Sequence, residues 1–214
     1  LGLLLTKANQ AIQTLEKYRA VLDKFLLGLS VMEFQETVTL FDVARVIQRV
    51  EMFLQVVKEI ELYTCELGVE GRLITMQVDE LMANVQEEGL LVIRDYVAPH
   101  TDKTPEEIMA MINRWPAEDF LDLALIVRAL GYPGSSGILE QHVVPRGYRI
   151  LQKVPRLPLP VIENLVKTFG ALNKILAASI EELDDVEGIG EVRARSIKEG
   201  LRRYQELLMK EVQV

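Results

Sequence analysis

Soft metal ligands are nearly missing from this chain. Among 214 residues there are one cysteine, Cys65, and two histidines, His100 and His142. A single thiol excludes a disulfide framework, and these donors are too few for a structural zinc site. A lone thiol also fits a reducing compartment. No apolar run approaches the ~18 residues of a membrane span, and no basic, cleavable leader is present. The chain therefore reads as cytoplasmic, with no membrane partner. Low-complexity runs and solenoid-length repeats are lacking, and at 49% hydrophobic residues the composition is globular, not disordered. Basic charge is in short supply: 24 Lys and Arg face 32 Asp and Glu, a net charge of −8. That total argues against a surface coated in phosphate-binding charge, while leaving room for a local basic site. The first residues, Leu1-Gly2-Leu3, lack an initiator methionine, so a longer parent is expected.

The charge is unevenly spread. Residues 1–140 hold 12 basic and 22 acidic side chains, whereas residues 141–214 hold 12 basic and 10 acidic. In the second part the cations cluster. Arg146, Arg149, Lys153 and Arg156 share a stretch without an acid, and Arg193, Arg195, Lys198, Arg202 and Arg203 have only Glu199 among them. Such runs are either solvated helix faces or a site for an anionic partner.

Helical periods dominate the first part. Leu4, Ala8, Ala11, Leu15, Tyr18, Leu22, Phe25 and Leu29 keep a heptad spacing, which predicts a long helix over about 3–29 that ends near Gly28 and Ser30. Val43, Val46, Val50, Phe53, Val57, Ile60, Thr64 and Leu67 repeat it over about 40–67, with Thr39 and Asp42 as a capping box and Gly68 as the stop. A third helix, about 70–88, is expected to bury Leu73, Met76, Leu81 and Val85. Leu90–Ile93 suits strand or buried helix equally. Thr104-Pro105-Glu106-Glu107 starts another helix, and a further one is expected over 116–130. The Gly131–Gly137 loop then lies near the break in charge, which places a domain boundary at about 140. The fold class is all-α: a long-helix spine over 1–140 and a small head over 141–214.

The segment that carries chemistry is Val186-Glu187-Gly188-Ile189-Gly190-Glu191, between two helices. Ser179 and Glu182 cap the helix that leads in. Gly188 and Gly190 have no Cβ and tolerate positive φ, so the backbone can approach a ligand closely. Ile189 plugs the crevice between the helices. The next helix, from about Glu191, offers unpaired N–H groups and a positive dipole end, which suits a phosphate oxygen without any base contact. Arg193, Arg195 and Lys198 are candidate charge-assisted contacts, and Arg146, Arg149, Arg156 and Arg202 are secondary ones. Glu187 and Glu191 oppose the phosphate. Upstream, Val154-Pro155-Arg156-Leu157-Pro158 occupies the place of a paired first hairpin, but Pro158 has no N–H to give.

This is the helix–hairpin–helix pattern of DNA-binding domains that read no sequence. Together with Leu5-Thr-Lys-Ala-Asn-Gln-Ala, Leu15-Glu-Lys-Tyr, Val46-Ile-Gln-Arg49, Gly71-Arg-Leu-Ile, Pro145-Arg-Gly-Tyr-Arg-Ile-Leu151, Pro155-Arg-Leu-Pro158 and the hairpin itself, the chain resembles the bacterial DNA integrity scanning (DisA) family of diadenylate cyclases. The resemblance implies a helical linker followed by a two-hairpin DNA-binding domain. The family's cyclase motifs, Asp-Gly-Ala and Arg-His-Arg, do not occur in this sequence. It follows that no catalytic residue, metal or cofactor is expected in this chain. ATP with Mg or Mn, giving cyclic di-AMP, belongs to the parent's cyclase domain. By the same resemblance the parent forms an octamer and engages branched DNA, in association with the nucleoid. Two alternatives remain open at this stage. One is a helical oligomerisation scaffold whose hairpin only turns the chain. The other is a helix–hairpin–helix glycosylase, opposed by the lack of an Asp in the helix after Gly190.

Overall fold

In the computed structural model, which describes residues 1–213, the first helix outruns its expected end. α1 (Gly2–Gln35) continues through Gly28 and Ser30 and closes only at Glu36, whose φ of 57° is left-handed. A mid-helix glycine costs about 1 kcal/mol, which packing readily outweighs. Here the added residues bury Ser30, Val31 and Glu33. α2 (Leu40–Leu67) starts at the expected capping box, with the Thr39 N–H donating to Asp42 Oδ2 at 2.9 Å. Its seam from Val43 to Ile60 is buried against α1, and Gly68 ends it at φ 58°.

The expected third helix is two helices. A 3-10 turn, Gly68–Gly71, leads into α3 (Arg72–Met82), and Asn84, left-handed at φ 66°, breaks the chain before α4 (Val85–Tyr96). The stripe also differs from the expected one. Ile74 and Val78 are buried, whereas Leu73 is 73% and Met76 60% exposed. The tight turn resets the phase of the helix: a Cβ at Gly71 would stand 2.9 Å from the Thr64 carbonyl, so the turn lies flat on α2 and fixes which face α3 presents. Arg19 of α1 then caps α3, donating to the carbonyls of Leu81 and Ala83 at 2.7 and 2.9 Å. The ambiguous Leu90–Ile93 run is helical, with Leu91, Val92 and Ile93 buried in α4.

α5 (Pro105–Ile112) is capped as expected, Thr104 Oγ1 accepting from the Glu107 N–H at 3.2 Å. The segment expected as one helix over 116–130 is a 3-10 turn, Ala117–Leu121, followed by α6 (Leu123–Ala129). Asp122 separates them because its side chain accepts from the Ala124 N–H at 3.0 Å, a local alternative to helix continuation.

Beyond the Gly131–Gly137 loop come α7 (Tyr148–Leu151), α8 (Leu159–Phe169), α9 (Leu172–Ala177), α10 (Ile180–Asp184) and α11 (Glu191–Val212). Among the described residues there is no strand, only an isolated antiparallel bridge between Thr39 and His142. Apolar side chains gather in two cores. One runs from Ala8 to Ile138, the other from Ile150 to Leu201, and Phe34 of α1 packs against the second.

Candidate nucleic-acid interface

The α7–α8 and α10–α11 pairs are each joined by a hairpin, and the two hairpins correspond residue by residue. Val154 and Val186 are buried at their roots, while Leu157 and Ile189 point into the second core. Gly188 has φ 86°, and Arg156, at the matching position, has φ 59°. A left-handed conformation costs a residue with a Cβ roughly 1–2 kcal/mol, so the first hairpin keeps the turn geometry at the expense of strain in an arginine.

Only one of the two hairpin glycines uses positive φ. Gly190 sits at φ −102°, ψ −179°, extended backbone open to any residue, and a Cβ there would meet nothing within 4 Å. Its role is to leave space. Gly190 is the N-cap of α11 and supplies no side-chain acceptor, so the amides of Glu191, Val192 and Arg193 have no intrahelical partner. Val192, in this first turn, is 81% exposed. The Ile189 N–H bonds the Val186 carbonyl at 3.0 Å and locks the turn. Asn164 of α8 buttresses it from behind, donating to the Glu187 carbonyl at 3.0 Å. No motif marks Asn164 in the sequence.

Gly188, Gly190, Arg193 and Ser196 share a cleft of about 440 Å³ with Arg156 and Leu157 of the first hairpin. A second groove of about 680 Å³, lined by Lys153, Arg156, Arg195 and Arg203, adjoins it through Arg156 and Ser196. The pairs pack closely because α11 carries Gly200: a Cβ there would lie 2.9 Å from a Val154 methyl. A glycine within a helical pattern is the sequence signal for such an approach.

The remaining candidate residues fall into four groups. Arg193 stays at the hairpin, its guanidinium donating to the Gly188 carbonyl at 2.7 Å. Arg195 and Arg202 are exposed but paired along α11, Arg195 with Glu191 at 2.9 Å and Arg202 with Glu199 at 2.6 Å and with Glu206. Hydrogen bonds from Arg202 and Arg203 hold the Glu199 carboxyl down to about 2, so those charges offset one another at any ordinary pH. The pairing with Arg195 softens the opposition expected from Glu191. Lys198 is half-buried and donates to the Ala178 carbonyl, away from the cleft.

Arg149 and Arg146, expected as secondary contacts, are engaged within the chain and do not line the hairpin cleft. Arg149 is 2% exposed and bonds Glu33 and Ser30 of α1. Arg146 spends its guanidinium on the carbonyls of Arg94, Asp95 and Val97, at 3.1, 3.2 and 2.7 Å. Linear clustering of cations says nothing about burial, and the groups that face them, carbonyls for Arg146 and acids for Arg149, come from α1 and the α4 end, far away in sequence.

Residues 1–139 match the family described as the DisA bacterial checkpoint controller linker region, and residues 171–200 match the helix-hairpin-helix motif. The chain is 65% identical over 205 residues to the DNA integrity scanning protein DisA of Carboxydothermus hydrogenoformans, covering 96% of this chain and 58% of that protein. It is 51% identical over 206 residues to the DisA of Bacillus subtilis, covering 96% of this chain and 57% of the relative. The chain thus spans under two thirds of the length of these curated relatives. With its helical spine matched over 139 residues and its hairpin head matched in turn, the chain belongs to the DisA family of DNA integrity scanning proteins.

Proposed function

We propose that this chain is the spine and DNA-binding head of a DNA integrity scanning protein, divided at about residue 140 into a helical linker and a two-hairpin domain. The head binds the DNA backbone without reading bases. One observation carries this reading: α11 starts at an uncapped glycine, and Gly190, Val192 and Arg193 at that start share a single cleft with Arg156. In the whole protein the head senses branched DNA within an octamer, and the cyclase domain joins two ATP into cyclic di-AMP with Mg or Mn. The relatives' name, DNA integrity scanning protein, supports the scanning role, and the linker match supports the place of this chain in such a protein.

Gly190→Asp tests the reading. Its extended backbone accepts aspartate, which is a good N-cap, so α11 should gain about a few tenths of a kcal/mol. The new carboxylate would take the amides and repel phosphate. Gel shift on a four-way junction should therefore show binding lost in Gly190→Asp and Arg193→Glu, with helix content intact by circular dichroism. Unchanged binding by both variants would leave the hairpin as a structural turn and favour the scaffold reading.

A further inference from the structure

Between the two cores lies a polar joint made of residues that nothing in the DNA site uses. Three sets of directional bonds meet there. Asp95, fully buried at the end of α4, accepts the N–H groups of Gly147 and Tyr148 on Oδ1, at 3.0 and 2.7 Å, and that of Arg149 on Oδ2 at 3.3 Å. In the opposite direction, Arg146 donates to the carbonyls that end α4. Arg149 passes through the joint to Glu33 and Ser30 on the last two turns of α1, with Glu88 of α4 3.8 Å away.

The surroundings tighten this arrangement. Arg94 lies 4.0 Å over the Tyr148 ring and pairs with Glu163 of α8 at 3.1 Å. Lys153 pairs with Glu88 at 3.1 Å, and Phe34 meets Tyr204 of α11 at 6.1 Å between ring centres. The connecting strand of chain is itself stitched to the spine, the Leu40 N–H donating to the Gln141 carbonyl and the Val143 N–H to that of Val38, both at 3.0 Å.

Cohesion alone does not call for such a joint. Buried ion pairs commonly match or fall short of apolar side chains of equal volume. This one also leaves Glu33 Oε2, Arg149 Nε and Tyr96 OH buried without partners. What directional bonds along three axes supply, and apolar contact does not, is a single fixed orientation. Burial works to lower the Arg149 pKa, but Glu33 and Glu88 outweigh it and raise it, so the guanidinium stays charged.

We propose that Asp95, Arg146, Arg149 and Glu33 form a clasp that sets the orientation of the head on the spine, so that the two move as one body. Arg146 and Arg149 are positioning residues that never touch DNA. The clasp stands whether or not the head binds DNA, because it rests on contacts within this chain.

Residual dipolar couplings of the 214-residue chain provide the test. In the unsubstituted chain, amides of the spine and of the head should fit one alignment tensor. Arg149→Met and Arg146→Ala should each give the head a separate, weaker tensor and speed amide exchange at Gly147 and Tyr148 by about tenfold or more. Affinity for a short duplex should change less than about twofold, since no phosphate contact is removed. Arg146→Ala serves where Arg149→Met fails to fold, because Arg146 is only half-buried. A double variant, Glu33→Met with Arg149→Met, should recover stability without recovering the shared tensor. A single tensor in the two single variants overturns the proposal, and so does a single tensor in the double variant. A tenfold loss of DNA affinity with the tensor unchanged would return both arginines to the DNA face. Should the parent chain bind no DNA at all, the function proposed above fails while the coupling data still judge the clasp.

Discussion

Arg156 holds the left-handed backbone that its counterpart Gly188 adopts without penalty. Arg156→Gly removes that strain, and the thermal midpoint should rise by an amount corresponding to at most about 1 kcal/mol, glycine's own entropy offsetting the rest. If the guanidinium touches phosphate, the same variant should bind a junction several-fold more weakly. Stability and affinity moving in opposite directions would show that the strain is kept for binding; both rising together would remove Arg156 from the site. A different residue governs pH response. Glu51 in α2 is buried, which pushes its carboxyl up to about 7 against the pull of Lys58. Its folded pKa lies above the unfolded value, so the folded state holds the extra proton between about pH 4.5 and 7, and its contribution is lost as pH rises through that window. Glu51→Gln keeps an acceptor for the nearby Asn113 amide. It should stabilise the protein by about 1–3 kcal/mol at pH 8 and hardly at all at pH 5 by urea denaturation. Equal effects at both pH values would refute this.

Among the elements, the long seams were legible because heptad spacing over more than three heptads is hard to produce by chance. Capping at Thr39, Thr104 and Ser179 was legible too, since each is a local hydrogen bond between near neighbours. What escaped the sequence is set by contacts between distant segments. The passage of α1 through Gly28 depends on burial of its last turn, and the phase of α3 depends on a turn pressed against Thr64. The hairpin could be read because the Gly-x-Gly backbone is local. The fates of Arg146, Arg149 and Lys198 could not, because their acceptors lie on α1, α4 and at the end of α9. Gly200 belongs to this scale as well. Gly200→Leu forces Val154 aside and should destabilise the head by about 1–3 kcal/mol, seen as an earlier unfolding transition of the second core, with the first core unchanged.

For the whole molecule, the net charge of −8 averages an acidic spine and a head with a surplus of two. Much of that surplus is tied up: Arg149 and Arg146 in the clasp, and Arg195, Arg202 and Arg203 in pairs on α11. DNA binding by one chain should therefore rest on few contacts. With ~2–4 phosphates engaged, affinity of roughly 10⁻⁴–10⁻⁶ M and a log–log salt slope of about −2 to −4 are expected from anisotropy titrations across salt. A slope near zero would refute a phosphate-based site. Useful affinity then calls for several heads acting together.

The unbroken run of α1 has a mechanical consequence. Its 34 residues span about 50 Å without a hinge, and its last turn carries Glu33 and Phe34 into the head. A tilt of about 5° imposed at that end displaces the opposite end by roughly 4 Å, more than the width of a carbon–carbon contact. On the proposed function, small adjustments of the head on a DNA backbone would be magnified at the beginning of the chain, with α1 as the lever arm.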